Sequence, residues 1–347
     1  MRNIFLLMLL FSLIVACRSK SSIVSDELKN MATSENDFII TFGSCNKHDM
    51  ENVFWDDILA QNPDAFIWGG DIVYADTDNT SKIQEHYDLQ DTVPNYATLK
   101  EKVFITGTWD DHDYGLNDGG IEFSAKKGSQ QAFLNFMDVP QNDERRQQEG
   151  VYSSQMISKP NGLIKIINLD TRYFRTGLID DKKEGRRYKP NDYGDGTILG
   201  KAQWQWLENE LKTSNADFNL IVSSIQFLSN EHGFEKWANH PAEVDKMEKL
   251  ITSSGAKGVL ILSGDRHISE FSRKDLKGLS YPLIDFTSSG LTHSYSSYSG
   301  EPNQYRVGEV TAIPSFGLIE FDIEKKTATL KIIGDHGVVL QELKQAY

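Results

Sequence analysis

Four short segments of this 347-residue chain end apolar runs with side chains that can hold cations. They are Gly43-Ser44-Cys45-Asn46, Gly69-Gly70-Asp71-Ile72-Val73-Tyr74, Trp109-Asp110-Asp111-His112-Asp113 and Gly264-Asp265-Arg266-His267. In open α/β sheets, ligands gather just beyond the carboxyl ends of strands. Four such ends carrying thiol, phenol, carboxylate and imidazole point to one polynuclear metal centre built from residues far apart in sequence. Asp71 follows two glycines, which permit close backbone approach, although Gly-Asp alone is a common turn. Tyr74 adds a phenol oxygen, a hard donor that suits ferric iron. Three carboxylates packed beside an imidazole within residues 110–113 carry a like-charge penalty unless cations are present. Asn117 and Asp118 extend an oxygen-rich loop, the donor type that calcium takes. On an extended segment Asp265 and His267 face one side together, and Arg266 then points elsewhere.

Asp170-Thr171-Arg172 follows another apolar run, Leu163–Leu169. Arg172 has a planar fork for phosphate or carboxylate; substrate contact and pairing with a neighbouring acid are equally open. Gln226, Asn230 and His232 are weaker candidates after strand Phe218–Ser223, and His293 stands in a Ser/Tyr-rich loop at the edge of any cleft.

The elements that would position these groups alternate. Phe38–Phe42, Ala65–Trp68, Lys102–Thr108, Leu163–Leu169, Phe218–Ser223, Val259–Leu262 and Leu283–Phe286 read as strands. Glu51–Ala60, Ser124–Met137, Lys201–Lys212 and Pro241–Ile251 carry apolar residues at helical spacing. Alternation of this kind implies βαβ units, and strands without charge on either face are covered on both sides. Phe316–Ile323 and Thr327–Ile333 flank Glu324-Lys325-Lys326 as a hairpin that extends a sheet edge. The expected fold class is α/β, two packed mixed β-sheets flanked by helices.

Arg2 followed by apolar Ile4–Val15 reads as a secretory signal, too short for a confident membrane span. Ile14-Val15-Ala16-Cys17 resembles a bacterial lipobox. That resemblance implies cleavage before Cys17 and its lipidation; an ordinary signal with a chance cysteine is the alternative. The expected organisation is therefore a signal peptide over residues 1–16, a polar tether over 17–36 and one domain over 37–347. The product would be an exported, membrane-anchored lipoprotein, periplasmic or at the cell surface. Beyond Cys17 only Cys45 remains, so the domain has no disulfide framework. A net charge of -14 argues against nonspecific nucleic-acid binding but not against a phosphate substrate at a metal site.

Taken together, the segments resemble the PhoD-like alkaline phosphatases, a branch of the calcineurin-like metallophosphatases. The resemblance runs from about Thr41 to about Gly290 and includes Leu169-Asp170-Thr171-Arg172 and Leu199-Gly200 with Gln203 and Trp206-Leu207. It implies a metal-dependent phosphoester hydrolase containing Fe3+ and Ca2+. Cys45, Asp71, Tyr74 and His267 would hold iron. Asp71 would bridge to calcium, with Asp111, Asp265 and Asn117 on the calcium side. His112 would protonate the leaving group or contact phosphate, and Arg172 would offset phosphoryl charge. Asp113 stands where Glu is frequent in the family, and no counterpart is found for the histidine that other metallophosphatases place after the middle strand. The alternatives are a phosphodiesterase or phospholipase-C-like enzyme on envelope phosphoesters, and a catalytically inactive surface-anchored binding protein.

Overall fold

In a computed structural model that describes residues 37–347, apolar runs become sheet strands and the segments between them become helices. The strands are β1 Phe38–Gly43, β2 Ala65–Gly69, β3 Phe104–Thr108, β4 Ser153–Lys159, β5 Gly162–Asn168, β6 Ile179–Asp180, β7 Tyr188–Lys189 and β8 Phe218–Val222. They continue as β9 Val259–Ser263, β10 Ser269–Lys274, β11 Leu283–Ser288, β12 Arg306–Thr311, β13 Phe316–Asp322, β14 Thr327–Ile333 and β15 Val339–Ala346. The helices are α1 Phe54–Ala60, α2 Thr80–Asp91, α3 Pro94–Lys102, α4 Asp111–Tyr114, α5 Lys126–Phe136, α6 Gly200–Lys212 and α7 Pro241–Ser254.

One sheet has the order β15-β14-β13-β1-β2-β3, and the other β12-β10-β11-β9-β8-β5-β4. The cores β1-β2-β3 and β5-β8-β9-β11 are parallel, and antiparallel strands flank them. Successive side chains of a strand face opposite sides, which explains the continuous apolar runs. In β2, Ala65 and Ile67 pack between the sheets, whereas Phe66 and Trp68 meet Trp55 and Tyr96 of the outer helices. In β8, Leu220 faces the other sheet and Ile221 faces Leu207 and Met247 beneath α6 and α7. Phe42 meets Phe286 edge-on at 4.7 Å across the sheet interface. The layers are helix, sheet, sheet, helix, as expected from the alternation.

Two features depart from the sequence reading. Lys102 ends α3 rather than beginning β3. The polar stretch before it forms two helices, α2 and α3. In α2 Ile83, Tyr87 and Gln90 alone are buried, too few apolar positions to announce a helix.

Candidate metal centre

The carboxyl ends of β1, β2, β3 and β9 converge. Cys45 follows β1, and its buried Sγ lies 3.5 Å from Asp71 Oδ2 and 3.0 Å from Ser289 Oγ. Tyr74 OH lies 3.4 Å from Asp71 Oδ2, 3.1 Å from His267 Nε2 and 3.2 Å from His293 Nε2. Three donor groups have their ligand atoms within 4.8 Å of one another: Cys45, Asp71 and His267; Asp71, Asp111 and His112; Asp110, Asp111 and Asp265. Asp71 and Asp111 each belong to two of them, so the clusters are contiguous.

The backbone takes an uncommon course to achieve this. Cys45, Asp71, Asp265 and His267 have φ values of 59°, 51°, 68° and 53°, left-handed conformations that are rare away from glycine. Surrounding structure must hold such residues, and they concentrate at functional sites. Gly70 (φ 96°) is needed beside them: a Cβ there would lie 2.5 Å from Asp110 Cβ. The same turn corrects the reading of Arg266. Residues 264–267 are not extended, so the alternation argument fails, and Arg266 lines the cavity together with Asp265 and His267.

The three acids of residues 110–113 divide their work. Asp113 accepts from Asp110 N and Ile72 N, capping α4. Asp110 pairs with Arg172 and accepts from Ser224 Oγ at 2.8 Å. Asp111 turns to the cavity, with Oδ2 accepting from Asp118 N at 2.7 Å and a buried Oδ1 that has no partner among the described residues. Arg172 is buried, with Asp110 and Glu235 occupying its guanidinium. It is absent from the cavity wall, so the geometry favours pairing over substrate contact.

Electrostatics fit a cation. Burial, reinforced by Asp111, raises Asp71 and Asp265 well above the carboxylate range. Burial likewise raises Tyr74, and it pushes Cys45 up to about 12 against the opposing Ser289 hydrogen bond. Burial lowers His267 to about 3, helped by His293. The protein alone thus leaves these acids short of positive charge and keeps the imidazole neutral, the form that ligates. Burial also pushes Asp111 upward, but Arg172 and His112 outweigh it and hold this carboxyl below its usual range. The donor set and the orphaned Asp111 oxygen therefore suit bound metal.

His112 differs from His267. Burial lowers its affinity for a proton, yet the Asp76 hydrogen bond and the nearby charges of Asp111, Asp76 and Asp110 together outweigh it and its pKa is raised. Its Nδ1 lies 2.7 Å from Asp76 Oδ1, and its ring stacks on Tyr74 at 4.1 Å. A cavity of about 290 Å³ joins Asp71, Asp111, His112, Asn117, Asp265 and His267. Of the weaker candidates, His293 belongs to the cluster, whereas Gln226, bonded to Glu270 and Thr287, and Asn230, bonded to Gln304, do not. His232 is buried and accepts from Phe234 N. The sequence pattern does not mark Asp76 or Ser289, although Asp76 stands only two residues beyond Tyr74 in the same donor-bearing turn.

Residues 81–313 match the family model for PhoD-like phosphatase, more than half of the chain. Alkaline phosphatase D of Bacillus subtilis (strain 168) is 32% identical over 113 residues, 29% of this chain. The matched stretch spans only 19% of that relative. A solved structure of PhoD superposes with a TM-score of 0.70 at 16% identity, covering 89% of this chain and 68% of the other. A dimetal phosphatase from Danio rerio superposes at 0.51 with 13% identity, covering 90% and 99%. GAP50, the anchor in the inner membrane complex of Plasmodium, does so at 0.58 with 13% identity, covering 89% and 88%. These superpositions describe a shared fold.

Proposed function

The chain belongs to the PhoD-like phosphatase family, and from that premise we propose that it hydrolyses phosphoesters at a metal centre in which two donor clusters share Asp71. The observation carrying this reading is the contiguity of three donor clusters through Asp71 and Asp111 beside one cavity. Cys45, Asp71, Tyr74 and His267 would hold Fe3+, while Asp71, Asp111, Asp265 and Asn117 would hold Ca2+. When bound, the cations acidify water and offset charge on phosphoryl oxygens.

The chain's own residues do the rest. Asp118 N fixes one oxygen of Asp111 and leaves the other directed to the site. The Arg172–Asp110 pair supports α4 from behind, a positioning role. Asp76 accepts from His112 Nδ1, which leaves Nε2 to donate a proton to the departing oxygen. Phe234 forms an apolar part of the wall.

Metal analysis with phosphomonoester and phosphodiester assays tests the reading. Metal-replete protein should turn over at least one ester class. It should also show a visible tyrosinate-to-iron absorption band that Tyr74→Phe removes. Protein that takes up neither metal and hydrolyses neither ester would refute the assignment and favour a binding role.

Membrane anchoring through Cys17 is a second part of the proposal. It rests on the Ile14-Val15-Ala16-Cys17 motif, which lies outside the described residues. On expression in a bacterial host the protein should enter the detergent phase on phase separation, and Cys17→Ala should shift it to the aqueous phase. Wild-type protein found wholly in the aqueous phase would end this proposal.

A further inference from the structure

The cavity that holds the metal-donor carboxylates also carries two guanidiniums that the reaction described above does not use. Arg187 and Arg266 both lie against the ring of Phe234, at 5.7 and 4.0 Å from its centroid, and all three line the cavity. Each arginine is braced by one acid through a single nitrogen. Arg187 Nη1 donates to Asp118 Oδ2 at 3.0 Å, and Arg266 Nη2 donates to Glu301 Oε1 at 2.7 Å. The remaining donors are open. Arg266 is 93% buried, being 7% exposed, and its Nε has no partner among the described residues. Arg187 Nε and Nη2 likewise make no hydrogen bond to another described residue, and Arg187 is half-exposed. Tyr295, held by a 2.7 Å bond from its N–H to His267 O, brings a phenol to the same wall.

Stacking and bracing fix the guanidinium planes before a ligand arrives, so little rotamer entropy is lost on binding. A buried arginine with an unmet donor is costly, and a planar anion meets that need with two parallel hydrogen bonds. The acids of the same cavity, Asp71, Asp111 and Asp265, are the place for cations and the reacting phosphoryl group.

We propose that Arg187, Arg266 and Tyr295 form a subsite for a second anionic group, a carboxylate or a further phosphate, carried on the alcohol portion of the substrate. The favoured substrate is then an ester whose departing alcohol is itself negatively charged. This inference rests on the phosphoester reading, and it is tested by binding so that the two can fail separately.

The probes are two non-hydrolysable benzylphosphonates, one with a 4-carboxylate and one with the neutral 4-carboxamide. Each is titrated calorimetrically into metal-loaded protein. The carboxylate should bind about tenfold more tightly, a difference of about 1.4 kcal/mol. Arg187→Ala should bring the ratio of the two Kd values to within about twofold, and Arg187→Lys should restore part of it. Equal affinities in the wild type would overturn the proposal, as would absence of binding by either phosphonate. So would Arg187→Ala weakening both ligands by the same factor, because the arginine would then serve the phosphoryl group. Turnover of 4-nitrophenyl phosphate is read separately: an inert protein that still prefers the carboxylate loses the hydrolase reading and keeps the subsite.

Discussion

Asp71→Asn is expected to lower kcat/KM by at least about a thousandfold, roughly 4 kcal/mol of transition-state stabilisation. The substitution preserves shape but removes the charge shared by two donor clusters. Metal analysis should show the loss of at least one equivalent along with the activity. Stability provides an independent readout. Without metal, wild-type Asp71 is buried among Asp111, Cys45, Asp110 and Asp113, which disfavours its charged form. The metal-stripped Asn variant should therefore melt at a higher temperature than metal-stripped wild type. Added metal should reverse the order, since a cation at a thousand times its Kd adds about 4 kcal/mol to the protein that binds it. An Asn variant with undiminished activity and full metal content would contradict the bridging role.

The second large effect concerns the proton. His112→Asn is expected to lower kcat on an alkyl phosphate by about 10²–10³-fold, or about 3–4 kcal/mol. On 4-nitrophenyl phosphate the loss should be far smaller, because nitrophenolate departs without a proton and an alkoxide does not. Asp76→Asn should give the same leaving-group pattern at lower amplitude, since Asp76 holds the proton on Nδ1 and raises the imidazole pKa. Metal content should be unchanged in both variants. Equal losses on the two substrates, or loss of metal, would instead make His112 a ligand, a role its closeness to Asp71 and Asp111 also permits.

What the sequence disclosed and what it hid follow from the range of the forces involved. Parallel strands covered on both faces are largely apolar, broken in β5 only by Lys165 and Asn168 and in β8 by Asn219, so β2, β5, β8 and β9 could be read directly. Edge strands need only one good face. β4, with the sequence SSQMISK, is such an edge and gave no comparable signal; β10, with SEFSRK, lies between β11 and β12 but buries Ser269, Glu270 and Ser272 in polar pairings, so it too lacked an apolar run. The ligand-bearing turns were legible because each combines a strand end with an unusual density of donors. Orientation within a turn was not, since the left-handed backbone at Asp265 and His267 depends on packing rather than on local preference. Partners across the chain were hidden for the same reason. Nothing near Arg172 announces Glu235, 63 residues away, and nothing near Tyr74 announces His293, 219 residues away.

The place of β1 within its sheet has a consequence for how the molecule is made. This first strand is paired on one side with β2, nearby in sequence, and on the other with β13, so that Phe38 lies opposite Phe321. The turn carrying Cys45 also receives hydrogen bonds from Gly290, Leu291 and Thr292. A growing chain must therefore keep β1 half-matched until β13 emerges, and such distant pairing is slow to form. Completion of the cage is in effect a receipt for synthesis through β13: a product interrupted before it lacks the partners that set the Cys45 thiol in place.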